Sequence, residues 1–345
     1  MKIKTKFFFL ILPFLLTLSF SNCSKTGRQM SVIRGQTMGT TYMIKYVGKT
    51  DALPKTEKIK KAVEKILKKV NRQMSTYLPY SEISRFNKYK QNDWFEISAD
   101  LTEVVEKALL VSEKSAGAFD ITVGPLVNLW GFGPQAKPEK VPPAEKIKEV
   151  KKYTGCRNLS VRHSPPAIKK DIPGIYCDLS GIAKGFGVDK VAEYLDSRDI
   201  EDYLVEIGGE VRTKGKNKDN RCWRLGVAAP DNGLGIYKTL PLKNAAMATS
   251  GDYRNYFEEN GIRYSHTINP VTGKPITHKL VSVTVIHDSC TYADAMATAI
   301  NVLGPEKGYR LAQQEKLAVL LIIKEKDKFI EKMTSRFKKI LEVAK

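Results

Sequence analysis

The chain has 345 residues, of which 42% are hydrophobic and 27% charged. That is enough apolar material to bury a substantial core, as one large domain or two subdomains. No stretch pairs low hydrophobicity with a long same-sign block, which excludes large-scale disorder. The formal net charge of +20 points either to anionic partners (nucleic acid, phosphorylated cofactors, an anionic membrane surface) or to a solvated basic surface.

Lys2, Lys4 and Lys6 open the chain, and an apolar run from Phe7 to Phe20 follows, broken only by Pro13, Thr17 and Ser19. The run is shorter than the roughly 20 apolar residues of a comfortable membrane span, and the pattern is that of a secretory signal peptide. Cys23 stands just after it and suggests a bacterial lipoprotein. Residues 1–22 are then the leader, Cys23 the lipidated N-terminus, residues 23–35 a tether and residues 36–345 a single domain. Phe20-Ser21-Asn22 departs from the Leu and small residue that commonly precede such a cysteine. Export permits disulfides. Cys156, Cys177, Cys222 and Cys290 show no C-x-x-C spacing, which disfavours a zinc site or a redox pair.

Arg34 to Val47 alternates like a strand, with Met38-Gly39-Thr40 near its start. Thr56 to Met74 carries Ile59, Val63, Ile66, Val70 and Met74 at helical spacing. Ser75-Thr76-Tyr77-Leu78-Pro79 reads as a turn. Ser98 is placed to cap a helix bearing Leu101, Val104, Val105, Ala108 and Leu109, which ends near Gly117. Lys137 to Pro143 reads as a surface loop, and Ile172 to Leu179 as a turn and strand. A Gly-rich segment then leads to a helix around Val188 to Leu195. Tyr203 to Ile207, Trp223 to Ala228, Leu280 to His287 and Leu317 to Ile323 read as strands. Ala293 to Leu303 reads as a helix, and Glu331 to Val343 as a basic amphipathic one. Strict β-α-β alternation is missing, so the fold class expected is α+β rather than a doubly wound sheet.

Four segments can carry chemistry. Asp178 to Gly187 is Gly-rich and lies before a helix, where backbone amides can hold phosphate and Lys184 can add a point charge; a tight structural turn explains it equally. Its spacing is neither that of a Rossmann fingerprint nor that of a P-loop. Asp294 and Thr298 stand one helical turn apart among alanines. They are hard oxygen donors suited to Mg²⁺, although Asp294 alone also suits the start of a helix. His266 precedes an Asn-Pro turn and can serve as a general base or as a structural residue. The segment Gly117 to Gly133 sets Phe119, Trp130 and Phe132 among glycines, where aromatics can stack on a flat ring or pack a core.

Together these segments resemble the ApbE family of flavin:protein FMN transferases. The resemblance rests on Thr122 to Gly133, which contains Leu129-Trp130-Gly131-Phe132-Gly133, and on Met38-Gly39-Thr40, Ser75-Thr76-Tyr77 and Asp178 to Gly185. Thr249-Ser250-Gly251-Asp252-Tyr253, His266 to Pro275 and Ala293 to Thr298 complete it, all in family order over about Gln36 to Leu320. It implies a T-fold-related arrangement of mixed helices and largely antiparallel sheets around one FAD cleft. Met38, Tyr77, Ala118, Phe119, Asp120, Asp178, Lys184, His266 and Ile268 match positions that contact FAD. Gly181 (through its main-chain oxygen), Asp294 and Thr298 match the Mg²⁺ ligands. Lys184 stands where some members have Glu, and Asn269 where many have Asp.

The activity so implied takes FAD as substrate and Mg²⁺ as cofactor. It moves FMN to a Thr or Ser hydroxyl of an exported target flavoprotein and releases AMP, with His266 and Asp294 as catalytic residues. An Mg²⁺-dependent FAD pyrophosphatase and a non-catalytic flavin-binding lipoprotein are the alternatives. The expected location is a bacterial membrane facing the periplasm, the inner membrane favoured over the outer, with anchoring through Cys23. No recognised nucleic-acid module accompanies the charge, so nucleic acid is not an expected partner.

Overall fold

The computed structural model describes residues 27–49, 54–134, 140–230, 235–251, 256–326 and 328–342. The leader, Cys23, residues 137–139 of the 137–143 loop, and Asp252 and Tyr253 lie outside the described residues. Eight strands form one sheet whose spatial order is their chain order. They are β1 (Arg28–Thr37), β2 (Thr40–Lys49), β3 (Asp202–Ile207), β4 (Glu210–Lys214), β5 (Ala245–Gly251), β6 (Leu280–His287), β7 (Ala318–Glu325) and β8 (Lys328–Met333). Every neighbouring pair is antiparallel.

Side chains alternate across this sheet, and both faces are covered. Tyr203, Val205 and Ile207 of β3 and Val319 and Leu321 of β7 meet a layer of helices. Those helices are α1 (Thr56–Met74), α2 (Ala99–Lys114), α3 (Ala183–Asp196) and α4 (Cys290–Gln314). Leu204, Leu320 and Ile322 face the other way, against a hairpin of Trp223–Ala228 with Ile236–Leu242 and the helix Ser335–Glu342. Burial on both faces explains why β7 reads as an unbroken apolar run. The expected α+β class and largely antiparallel sheet are what the chain forms. Among the described residues no helix is long and apolar enough to cross a membrane.

Several expectations are corrected. The single strand over Arg34 to Val47 is a hairpin, because Met38 (φ 50°) and Gly39 (φ 70°) form a left-handed two-residue turn. Its first strand begins at Arg28, so residues 28–35 belong to the sheet rather than to a tether. Ile172 to Leu179 contains no strand; side chains hold its backbone instead. Asn87 donates to the Cys177 carbonyl and accepts from its N–H, and the Nζ of fully buried Lys170 donates to the carbonyls of Ile175, Phe86 and Asn87. Burial pulls the Lys170 ammonium down to about 8. The α3 helix starts earlier than expected, at Ala183, and takes in Gly185 and Gly187. Residues 328–333, partly assigned to the C-terminal helix, form an edge strand, and the helix begins at Ser335. Cys156, Cys177, Cys222 and Cys290 are all free thiols.

Candidate active site

The β1–β2 turn, the Gly208-Gly209 turn between β3 and β4, and the end of β5 lie at one end of the sheet. Gly208 donates its N–H to the Thr41 carbonyl there at 3.0 Å, and a Cβ on Gly208 would meet Thr40 at 2.7 Å. The α3 and α4 helices start nearby. A segment of the chain around Gly117–Gly133 closes the opposite wall. Trp130, expected either to stack on a ligand or to pack, packs: it is buried against Tyr264 and Phe257, and its Nε1 donates to the Gly273 carbonyl at 2.9 Å. That bond ties the segment to the turn after His266. Phe119 and Phe132 of the same segment do line the cleft.

The cleft has two lobes, of about 460 and 940 Å³, which share Tyr77, Ser180 and Lys184. Met38 lines the larger lobe. Ala118, Phe119, Asp120, Asp178, Gly181, His266, Ile268, Asp294 and Thr298 line the smaller one. Every residue expected at the FAD and metal positions therefore comes to one place from across the chain. Two lobes joined at a waist suit a ligand with two ring systems and a linker. His266 stands edge-on to Phe132, with ring centres 6.3 Å apart. Asn269 accepts from the N–H groups of Val271 and Thr272, so it shapes the turn as an Asp there would. Asp120 is more occupied than its expected role suggests. Its carboxylate accepts from the N–H and hydroxyl of Thr122 and from the N–H and thiol of Cys156, so it also holds the wall together. Burial and that carboxylate push the Cys156 thiol up, which keeps it a donor.

Asp294 lies in the second turn of α4 and does not serve as its cap. Ser289 caps the helix, accepting from the N–H of Tyr292. Asp189, buried and missed from sequence, accepts from the N–H groups of Cys290 and Thr291 and from Arg212. Burial opposes the charge on Asp189, but Thr291 and Arg212 hold its carboxyl below the usual range. Asp294 is thereby free to accept from the N–H of Gly185 at 2.9 Å. A Cβ on Gly185 would stand 2.4 Å from the Cys290 carbonyl oxygen and 2.8 Å from Asp294 Cβ. In an open helix Gly→Ala gains about 1 kcal/mol; here main chain is in the way. Gly185→Ala is expected to destabilise the fold by about 1–3 kcal/mol and to lower turnover, as measured by urea unfolding alongside an activity assay.

The electrostatics are those of a site one positive charge short. Lys184 Nζ lies 3.1 Å from Glu210 and 3.9 Å from Asp294. Burial works against the Lys184 charge, but the two carboxylates outweigh it and raise its pKa. Burial raises Asp294 as well, and pushes Glu210 up to about 8 despite Lys184. Glu210 Oε2 is buried and has no hydrogen-bond partner. Sequence reading passed over Glu210, whose only signal was a carboxylate directly after a Gly-Gly turn. Thr298 Oγ1 lies 3.2 Å from Ser250 Oγ, and a Cβ on Gly181 would come within 3.2 Å of the same Thr298 oxygen, so a side chain there would fill the space. Among the described residues no group of three or more His, Cys, Asp or Glu forms a metal site. A buried carboxylate and a hydroxyl one helical turn apart, beside the open backbone of Gly181, fit a hard divalent cation such as Mg²⁺.

The model of the family described as the ApbE family matches residues 38–321. The FAD:protein FMN transferase of Vibrio cholerae is 44% identical over 325 residues, covering 94% of this chain and 96% of its own. That of Haemophilus influenzae is 43% identical over 337 residues, covering 96% and 97%. The solved structure of the flavin transferase ApbE from Vibrio cholerae matches with a TM-score of 0.85 at 43% identity, over 91% of this chain and all of that one.

Proposed function

This chain belongs to the ApbE family and is an FAD:protein FMN transferase; from that premise we propose how its cleft carries out the transfer and where it works. FAD spans both lobes, with its pyrophosphate at the shared waist beside Lys184 and Ser180. Asp294, Thr298 and the main-chain oxygen of Gly181 would hold Mg²⁺, which when bound neutralises negative charge on the phosphates. The observation that carries this reading is the pair of buried carboxylates sharing one ammonium beside Thr298.

The acceptor is a Thr or Ser hydroxyl of another protein. Its oxygen bonds to the FMN-side phosphorus, the P–O bond to the AMP phosphate breaks, and AMP leaves with the bridging oxygen. His266, on the cleft wall, takes the hydroxyl proton. Lys184 stays charged between its two carboxylates and offsets charge shifting toward AMP. Measuring AMP release with and without an acceptor protein separates transfer from hydrolysis. Release that depends on acceptor supports this reading; equal release without it favours the pyrophosphatase.

We further propose that the chain is exported and held on the periplasmic side of a membrane, with the inner membrane favoured, through lipidated Cys23. Arg28 opens β1 five positions later, and β1 then runs about 30 Å to the Met38-Gly39 turn at the cleft. The active site would thus stand about 30 Å from the start of β1, within reach of acceptors held at the same membrane. Cys23→Ala is expected to give a protein without acyl mass that no longer floats with membranes. A wild type that is soluble with residues 1–22 still attached would contradict the anchor.

A further inference from the structure

The α4 helix breaks just past the Asp294–Thr298 pair. Gly304 adopts φ 78° and ψ −177°, and Pro305 follows it. In an unbroken helix the Asn301 carbonyl would accept from the N–H of residue 305, which proline lacks. His278, which precedes β6, supplies the donor: its Nε2 lies 2.7 Å from the Asn301 carbonyl oxygen. A carbonyl only accepts, so Nε2 carries the proton, and Nδ1 is left buried without a partner. Gly304 is needed twice over. Its φ is left-handed, and a Cβ there would come within 2.8 Å of the His278 ring.

The turn so held carries Asn301, which is 1% exposed, lines the smaller lobe together with Thr298, and has an Oδ1 with no hydrogen-bond partner. We propose that His278 is a positioning residue for the FAD cleft. By bonding the carbonyl that Pro305 leaves open, it fixes the turn of α4 from which Asn301 contacts the bound nucleotide through its side-chain amide, as a specificity residue. A buried polar group without a partner in the protein is costly unless a ligand supplies one. This proposal rests on the reading that the cleft holds FAD.

The test compares FAD KM and kcat for wild type, His278→Leu, Asn301→Ala, the double variant and His278→Gln, with circular dichroism to confirm folding. His278→Leu and Asn301→Ala are each expected to raise the KM for FAD about tenfold, with kcat much less affected. The double variant should be no worse than the worse single one, because both changes act through Asn301. His278→Gln, whose amide can donate to the same carbonyl, should recover most of the affinity. Unchanged KM in folded Asn301→Ala overturns the assignment even if His278→Leu fails to fold. Multiplying effects in the double variant, or a folded His278→Gln no better than His278→Leu, also overturn it. A wild type that does not bind FAD overturns instead the cleft reading beneath it.

Discussion

Asp294→Asn is expected to lower FMN transfer and AMP release at least about a thousandfold, or about 4 kcal/mol of transition-state stabilisation. The change keeps the shape of the side chain but removes the one formal negative charge in the proposed cation donor set of Asp294, Thr298 and Gly181. Among the described residues it also leaves Lys184 with Glu210 as its one carboxylate partner. An amide oxygen can still accept from the Gly185 N–H, so the α3–α4 contact should survive. Thr298→Ala should lose less, since a neutral oxygen contributes less to holding Mg²⁺. FAD binding should persist in part in both variants, because the larger lobe, lined by Met38, Asn71 and Thr76, contains neither Asp294 nor Thr298. Chelation of the wild type should reproduce Asp294→Asn, and added Mg²⁺ should reverse it. Steady-state AMP release with and without Mg²⁺ checks all of this; EDTA-insensitive turnover in a folded Asp294→Asn protein would remove the metal assignment.

His266→Ala is expected to cost about 10²–10⁴ in kcat, the usual worth of a positioned general base, with a smaller effect on FAD affinity. The ring packs edge-on to Phe132 on a turn fixed separately by Asn269 and by the Ile276 N–H bonded to the Thr267 carbonyl. Its removal should therefore leave the wall in place. Single-turnover transfer to an acceptor separates the chemical step from binding. If kcat is unchanged while KM rises, His266 is a binding residue and the proton goes elsewhere.

The parts legible in the sequence were those with a local signature. The 3.6-residue spacing of Ile59, Val63 and Val70 gave α1, and Ser98 does cap α2, accepting from the Leu101 N–H. The cleft residues were gathered by the resemblance to a family, since no periodicity relates Met38 to Asp294. What stayed hidden depends on packing between distant segments. The β5 strand is built from Ala245 to Gly251, residues with little strand preference, and exists because β4 and β6 flank it. Gly185 and Gly187 looked like a loop but are helical: α3 approaches α4 closely at Gly185, and Gly187 packs against Met38, Ile207 and Leu67. Residues 172–179 have strand-like composition but pair with no strand, and Lys170 and Asn87 bond the backbone of Ile175 and Cys177 instead. Asp189, Glu210 and Asn301 carry no motif, and their roles follow from burial beside groups far away in sequence.

As the cleft of an FAD:protein FMN transferase, this site is expected to move FMN from FAD onto a protein hydroxyl. The most direct measurement is the intact mass of a purified acceptor protein after incubation with the full chain, FAD and Mg²⁺, with AMP quantified in the same sample. The acceptor is expected to gain one phosphoester-linked FMN at a Thr or Ser, matched by one AMP released, and substituting that hydroxyl residue should abolish both. FAD consumed to free FMN and AMP while the acceptor mass stays unchanged would contradict it.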